Sequence, residues 1–92
     1  MAKILIPTPL RQFTGGSDAV NVSGGTVGEI LAALTTSVHP GLRTNLFTPE
    51  GKIRSFVNVY VNDEDIRYLD KDSTAVKDSD TISIVPSIAG GR

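Results

Sequence analysis

A chain of 92 residues with ten acidic and nine basic side chains, formal charge −1 and no cysteine has room for one core, burying about 60 to 65 % of the unfolded surface. It has no basic run, which removes the electrostatic footprint of a nucleic-acid binder. The missing cysteine excludes disulfides, thiolate metal ligands and a side-chain thiol nucleophile.

The opening MAKILIPTPLRQ holds one lysine and only three consecutive apolar residues before Pro7, too few for a signal segment or a membrane span. A soluble, cytoplasmic protein is expected, with neither membrane nor nucleic acid as partner. Residues 2–6 (AKILI) alternate, Ile4 and Ile6 on one face and Lys3 and Leu5 on the other, which reads as a short strand closed by Pro7. Residues 19–23 (AVNVS) repeat the pattern with Val20 and Val22 inward. The intervening TPLRQFTGGSD contains Gly15-Gly16, so a loose hairpin is expected, with Leu10 and Phe13 folded back on its edge.

Val27, Ile30, Leu31 and Leu34 fall at i, i+3, i+4 and i+7, one stripe of a helix. Thr26 and Glu29 have the spacing of a capping box, in which hydroxyl and carboxylate satisfy orphan amides at the helix start. Gly24-Gly25 precedes it without the lysine of a phosphate loop and reads as a turn. The stretch 39–54 reads as a long loop. Its His39 is the only histidine and, without companions for a metal site or a triad, reads as an ordinary surface residue.

Period two returns in SFVNVYVND. Val57, Val59 and Val61 share one face and Phe56, Asn58 and Tyr60 the other, as in a central strand. Asp63-Glu64-Asp65 lacks the spacing and glycine of a calcium loop and reads as a solvated hairpin turn leading into a short IRYL strand. A polar turn at residues 77–80 precedes a last strand with Ile82 and Ile84 inward, ending at Pro86. This order of elements implies an α+β domain over residues 1–86, one helix covering one face of a mixed sheet of four to five strands. Ile4, Ile6, Val20, Val22, Ile30, Leu34, Val57, Val59, Val61, Ile82 and Ile84 are expected to form its core.

Residues 87–92, SIAGGR, form a candidate flexible tail. Extended, residues 87–91 span about 17 Å, enough to enter another protein's cleft. A merely frayed end is the plainer alternative. Leu5, Phe56, Tyr60 and Val85 are apolar or aromatic at outward positions and form a candidate docking surface at the tail's root. The competing expectation is that the 40–54 loop covers some of them.

FVNVYVNDEDIRYL and VKDSDTISIVPSIAGG, with a capped helix upstream and ILIPTPLR near the start, resemble the MoaD/ThiS family of ubiquitin-like sulfur carriers, most nearly its CysO type, which serves thiocarboxylate-dependent cysteine synthesis. The resemblance implies a β-grasp fold and a protein that is a carrier, not an enzyme, with no cofactor or metal of its own. It implies that a ubiquitin-activating-like enzyme adenylates the carboxylate of Gly91 and that sulfur then displaces AMP. Ile88, Ala89 and Gly90 would lie along that enzyme's channel, where glycine admits close backbone approach. A cysteine-synthase-type enzyme would accept the sulfur. Arg92 departs from the family pattern by holding the Gly91 carboxyl in an amide, which implies a trimming step, for which a zinc-dependent diglycine peptidase is a fitting partner, or an appended residue. Molybdopterin, thiamine or tRNA thiolation, conjugation to lysines as a protein modifier, and an adaptor with an inert tail are the competing functions.

Overall fold

The computed structural model describes residues 1–86. Five strands, β1 (Ala2–Leu5), β2 (Ala19–Val22), β3 (Val57–Val61), β4 (Glu64–Asp65) and β5 (Thr81–Pro86), form one sheet in the order β2-β1-β5-β3-β4. β1 pairs antiparallel with β2 and parallel with β5, and β3 pairs antiparallel with both β5 and β4. Helix α1 (Val27–Ala33) packs its stripe against one face, with Val27, Ile30, Leu31 and Leu34 at most 1 % exposed. This is the β-grasp arrangement. Burial alternates along the strands, so Ile4, Val22, Val57, Val59, Val61, Ile82 and Ile84 enter the core beneath α1 with Ile6 and Ile30. Val20 is only partly buried against that core, because β2 is an edge strand.

The capping box forms with a shifted return contact. The Thr26 hydroxyl accepts the Glu29 N–H at 3.2 Å, and the Glu29 carboxylate accepts the N–H of Gly25, one residue outside the cap, at 2.8 Å. The hairpin between β1 and β2 is tighter than a loose loop. Thr8–Phe13 is a 3-10 turn that buries Leu10 and leaves Phe13 37 % exposed, and Gly15 and Gly16 both take positive φ, 66° and 90°, where a side chain would be strained.

Two expectations need correction. The 39–54 stretch is not a plain loop: it holds a 3-10 turn (Pro40–Leu42) and a short helix, α2 (Arg43–Leu46), with Leu42 and Leu46 fully buried. Its apolar residues sink into the core, so it is part of the fold. The IRYL strand does not form. The strand is Glu64–Asp65, and Ile66–Tyr68 is a 3-10 turn because Asn62 and Asp63, at φ 50° and 74°, close the hairpin in two residues and use up the pairing early. β3 is an interior strand, as its alternation implies, paired with β5 on one side and β4 on the other.

Candidate functional site

The sequence points to the region where β5 hands the chain over to residues 87–92. β5 is held on both sides, Leu5 facing Ser83 across one ladder and Val57 facing Pro86 at the end of the other. Pro86 costs the sheet no hydrogen bond there. The Asn62 N–H donates to the Thr81 carbonyl, so alternate residues of β5 up to Val85 bond β3 and the missing N–H of Pro86 falls on the β1 side, beyond the last β1 rung. The chain therefore leaves the middle of the sheet from a fixed point. Ile88, Ala89, Gly90, Gly91 and Arg92 lie outside the described residues.

Around that point the ladder register fixes which side chains share the face away from α1. Leu5, Ser83 and Tyr60 form one row across three strands, and Val85 stands beside Asn58 in the next. Phe56 lies one residue before Val57 on the same alternation. Leu5 is 39 %, Val85 45 % and Phe56 46 % exposed, while Tyr60 is half-buried. The 40–54 segment sends Leu42 and Leu46 into the core instead. Leu5, Tyr60 and Val85 thus stand together, with Leu5 and Tyr60 about 10 Å apart across Ser83 at the usual strand spacing, and the exposed Phe56 lies just before β3. Ser83 and Asn58 complete the face. Asn58 is placed there by the same alternation as Tyr60, and Ser83 by its register opposite Leu5 and Tyr60.

The far end of the sheet is a polar clamp. The Asp80 carboxylate accepts the Lys77 N–H at 2.8 Å and the Asn62 amide at 2.8 Å, and these two contacts hold its carboxyl below the usual carboxylate range. Beside Tyr60, Asp65 accepts the Arg67 side chain at 2.7 Å and the Arg67 N–H at 2.8 Å, which lowers its carboxyl in the same sense. Among the described residues no group of three His, Cys, Asp or Glu side chains could hold a metal ion, and no helix is long and apolar enough to cross a membrane. His39 lies just past the π turn that extends α1 and uses its backbone N–H on the Leu34 carbonyl at 2.7 Å. The described residues offer a shaped surface that ends at Pro86, held in the sheet opposite Val57.

Comparison with known proteins bears on the same region. The model of the ThiS family matches residues 4–91, a span that includes Gly90 and Gly91 and leaves Arg92 outside. The chain is 42 % identical over 90 residues to the sulfur carrier protein CysO of Mycobacterium tuberculosis, covering 96 % of each. Its fold is similar to the crystal structure of the Amycolatopsis orientalis BexX/CysO complex, with a TM-score of 0.89 and 44 % identity over 99 % of this chain and 100 % of that one. It is also similar to the solution structure of small archaeal modifier protein 1 from Methanosarcina acetivorans, with a TM-score of 0.84 and 29 % identity over 98 % of this chain and 95 % of that one.

Proposed function

The chain belongs to the ThiS family, and on that premise we propose that it works as a sulfur carrier of the CysO type whose sulfur rides on Gly91. The whole-length similarity to a sulfur carrier supports this reading most strongly. Arg92 must first be removed, since an amide at Gly91 offers no carboxylate. The freed carboxylate attacks the α-phosphorus of ATP and expels pyrophosphate, which turns a poor electrophile into an acyl phosphate with a good leaving group. Hydrosulfide, bound by a ubiquitin-activating-like enzyme, then attacks the carbonyl; the C–S bond forms, the C–O bond to AMP breaks, and the terminus is a thiocarboxylate. That enzyme supplies the catalysis, and this chain supplies the terminus and the face that docks it.

The acceptor that fits the CysO-type relationship is a cysteine-synthase-type enzyme, which takes the thiocarboxylate as a nucleophile. A zinc-dependent peptidase that cuts after diglycine fits the removal of Arg92. The test is intact-mass measurement of the protein from its native host. Loss of Arg92 together with one oxygen replaced by sulfur is the expected result, and a native population that keeps Arg92 throughout would overturn the reading. Similarity to an archaeal modifier protein favours one second reading, conjugation of the activated Gly91 to lysines. High-mass conjugates that vanish when Gly91 is deleted would establish that role.

A further inference from the structure

The basic residues are dispersed along the sequence, yet the fold gathers most of them. An open groove of about 660 Å³ lies on the helix side of the sheet, between α1, residues 43–55 and the β3–β4 end. Arg43, Lys52, Arg54, Arg67 and Lys71 line it, five of the nine cationic residues, against Asp65 and Asp72 of the ten acidic ones. The groove holds an excess of three positive charges in a chain of formal charge −1.

Two of these cations are engaged internally. Arg67 pairs with Asp65 at 2.7 Å, and Arg54 donates from Nε to the Thr44 carbonyl at 2.7 Å. Arg43, Lys52 and Lys71 have no ion-pair partner among the described residues. Lys71 is held at φ 55°, in the left-handed region that lysine seldom occupies, so the backbone spends conformational energy at this rim position. The floor is apolar, including Ala32, Phe47 and Ile53, and the last two are only partly buried against the core.

Exposed cations alone give little affinity, because water solvates them as well as a carboxylate does. An apolar anchor that excludes water from their neighbourhood changes that balance. We propose that this groove docks an acidic segment of a partner protein, an apolar side chain resting on Phe47 and Ile53 while carboxylates meet Arg43, Lys52 and Lys71. The three unpaired cations stand at separate points of the lining, Arg43 in α2, Lys52 in the turn after it and Lys71 beyond β4, which suits several spaced carboxylates better than one compact anion. The groove opens on the helix side and reaches the β3–β4 edge of the sheet at Asn58 and Asp65, while Leu5, Tyr60 and Val85 do not line it. The proposal goes beyond the sulfur-carrier reading and does not depend on Gly91.

The test titrates the full, isotope-labelled chain with a fluorescent peptide in which carboxylates flank one phenylalanine and one leucine. A polyglutamate peptide of equal charge and AMP serve as comparison ligands. Saturable binding is expected, with amide shifts centred on Ala32, Phe47, Ile53 and Lys71. Affinity should fall at least about tenfold in Arg43→Glu/Lys71→Glu and weaken in high salt. The amide spectrum of the variant reports its fold, and Arg43→Gln/Lys71→Gln replaces it if the reversed charges unfold the chain. Equal affinity for polyglutamate or AMP, shifts centred on Leu5 and Val85, or full affinity in the folded variant would overturn the proposal. Each arm reads binding and not sulfur transfer, so failure here leaves the Gly91 reading standing.

Discussion

Asn62 and Asp80 are joined across the end of the β3–β5 ladder: Asn62 Nδ2 donates to Asp80 Oδ1 at 2.8 Å, and Asn62 Oδ1 accepts the neighbouring Thr81 N–H at 3.0 Å. Asn62 also sits at φ 50° in the two-residue turn to β4, a conformation asparagine tolerates better than most residues. Asn62→Ala therefore loses both the side-chain bonds and the backbone preference and should destabilise the fold by about 1–2 kcal/mol. Asn62→Gly keeps the backbone freedom and should lose less. Urea denaturation of the two variants checks this; equal losses would mean that turn conformation plays no part.

The same clamp makes the fold acid-sensitive. The Lys77 N–H first, and the Asn62 amide second, favour the ionised form of Asp80; at Asp65 the Arg67 side chain leads and its backbone N–H follows. Both carboxyls are lowered in the folded chain, so as pH falls the unfolded chain takes up protons first. Their contribution is complete above the ordinary carboxylate value of about 3.9 and is lost as pH drops through the lower folded values. Asp80→Asn and Asp65→Asn should each flatten the fall of the urea midpoint between about pH 5 and about pH 2. An unchanged slope would remove that carboxyl from the account.

Leu42 and Leu46 lie in a segment whose sequence looks like a connection, yet they are 0 % and 1 % exposed. Truncating either to Ala should cost about 2–5 kcal/mol, as at a strand position in the core. Tyr68, in the stretch that sequence alone assigns to a strand, is 87 % exposed, and Tyr68→Ala should stay within about 0.5 kcal/mol of the parent. Thermal or urea denaturation decides between these assignments.

That contrast shows which parts of the fold were legible. Alternation in AKILI, FVNVYV and TISIV persists over enough residues to name both faces, and the Thr26–Glu29 spacing marks the helix start, because each pattern needs only neighbours in the chain. Leu42, Leu46, Ile66 and Val76 are buried, but none belongs to an apolar run or alternation long enough to name a face. Only the tertiary arrangement tells them from surface leucines, isoleucines and valines. The outward face of the candidate site was legible by the same alternation. The basic groove was not, since Arg43, Lys52, Arg54, Arg67 and Lys71 come together only once α2 and the turns around β4 are in place.

Tyr60 and Val85 point away from α1, in adjacent rows of the sheet, so a charge there adds nothing to the core. Tyr60→Asp or Val85→Asp should weaken binding to the activating enzyme while the urea midpoint changes little, because a carboxylate brought into an apolar contact is desolvated without a partner. Calorimetric titration against that enzyme measures it. Unchanged affinity in both variants would take this face out of the docking surface.

The decisive prediction concerns Gly91. A form that retains Arg92 should be inert toward ATP, hydrosulfide and the activating enzyme, because its Gly91 carboxyl is an amide and a channel shaped for glycine excludes the arginine side chain. A form ending at Gly91 should exchange one terminal oxygen for sulfur under the same conditions. Gly91→Ala, in a chain ending there, should keep the urea midpoint of its parent, because the described residues, the last of them Pro86 paired to Val57, supply the whole core identified above. It should nonetheless lose most of its activation, since the added methyl clashes where the backbone must pass. Intact mass before and after incubation reads all three forms. Efficient sulfur uptake by the form that retains Arg92, or by Gly91→Ala, would place the reacting carbonyl elsewhere and end the sulfur-carrier reading at this residue.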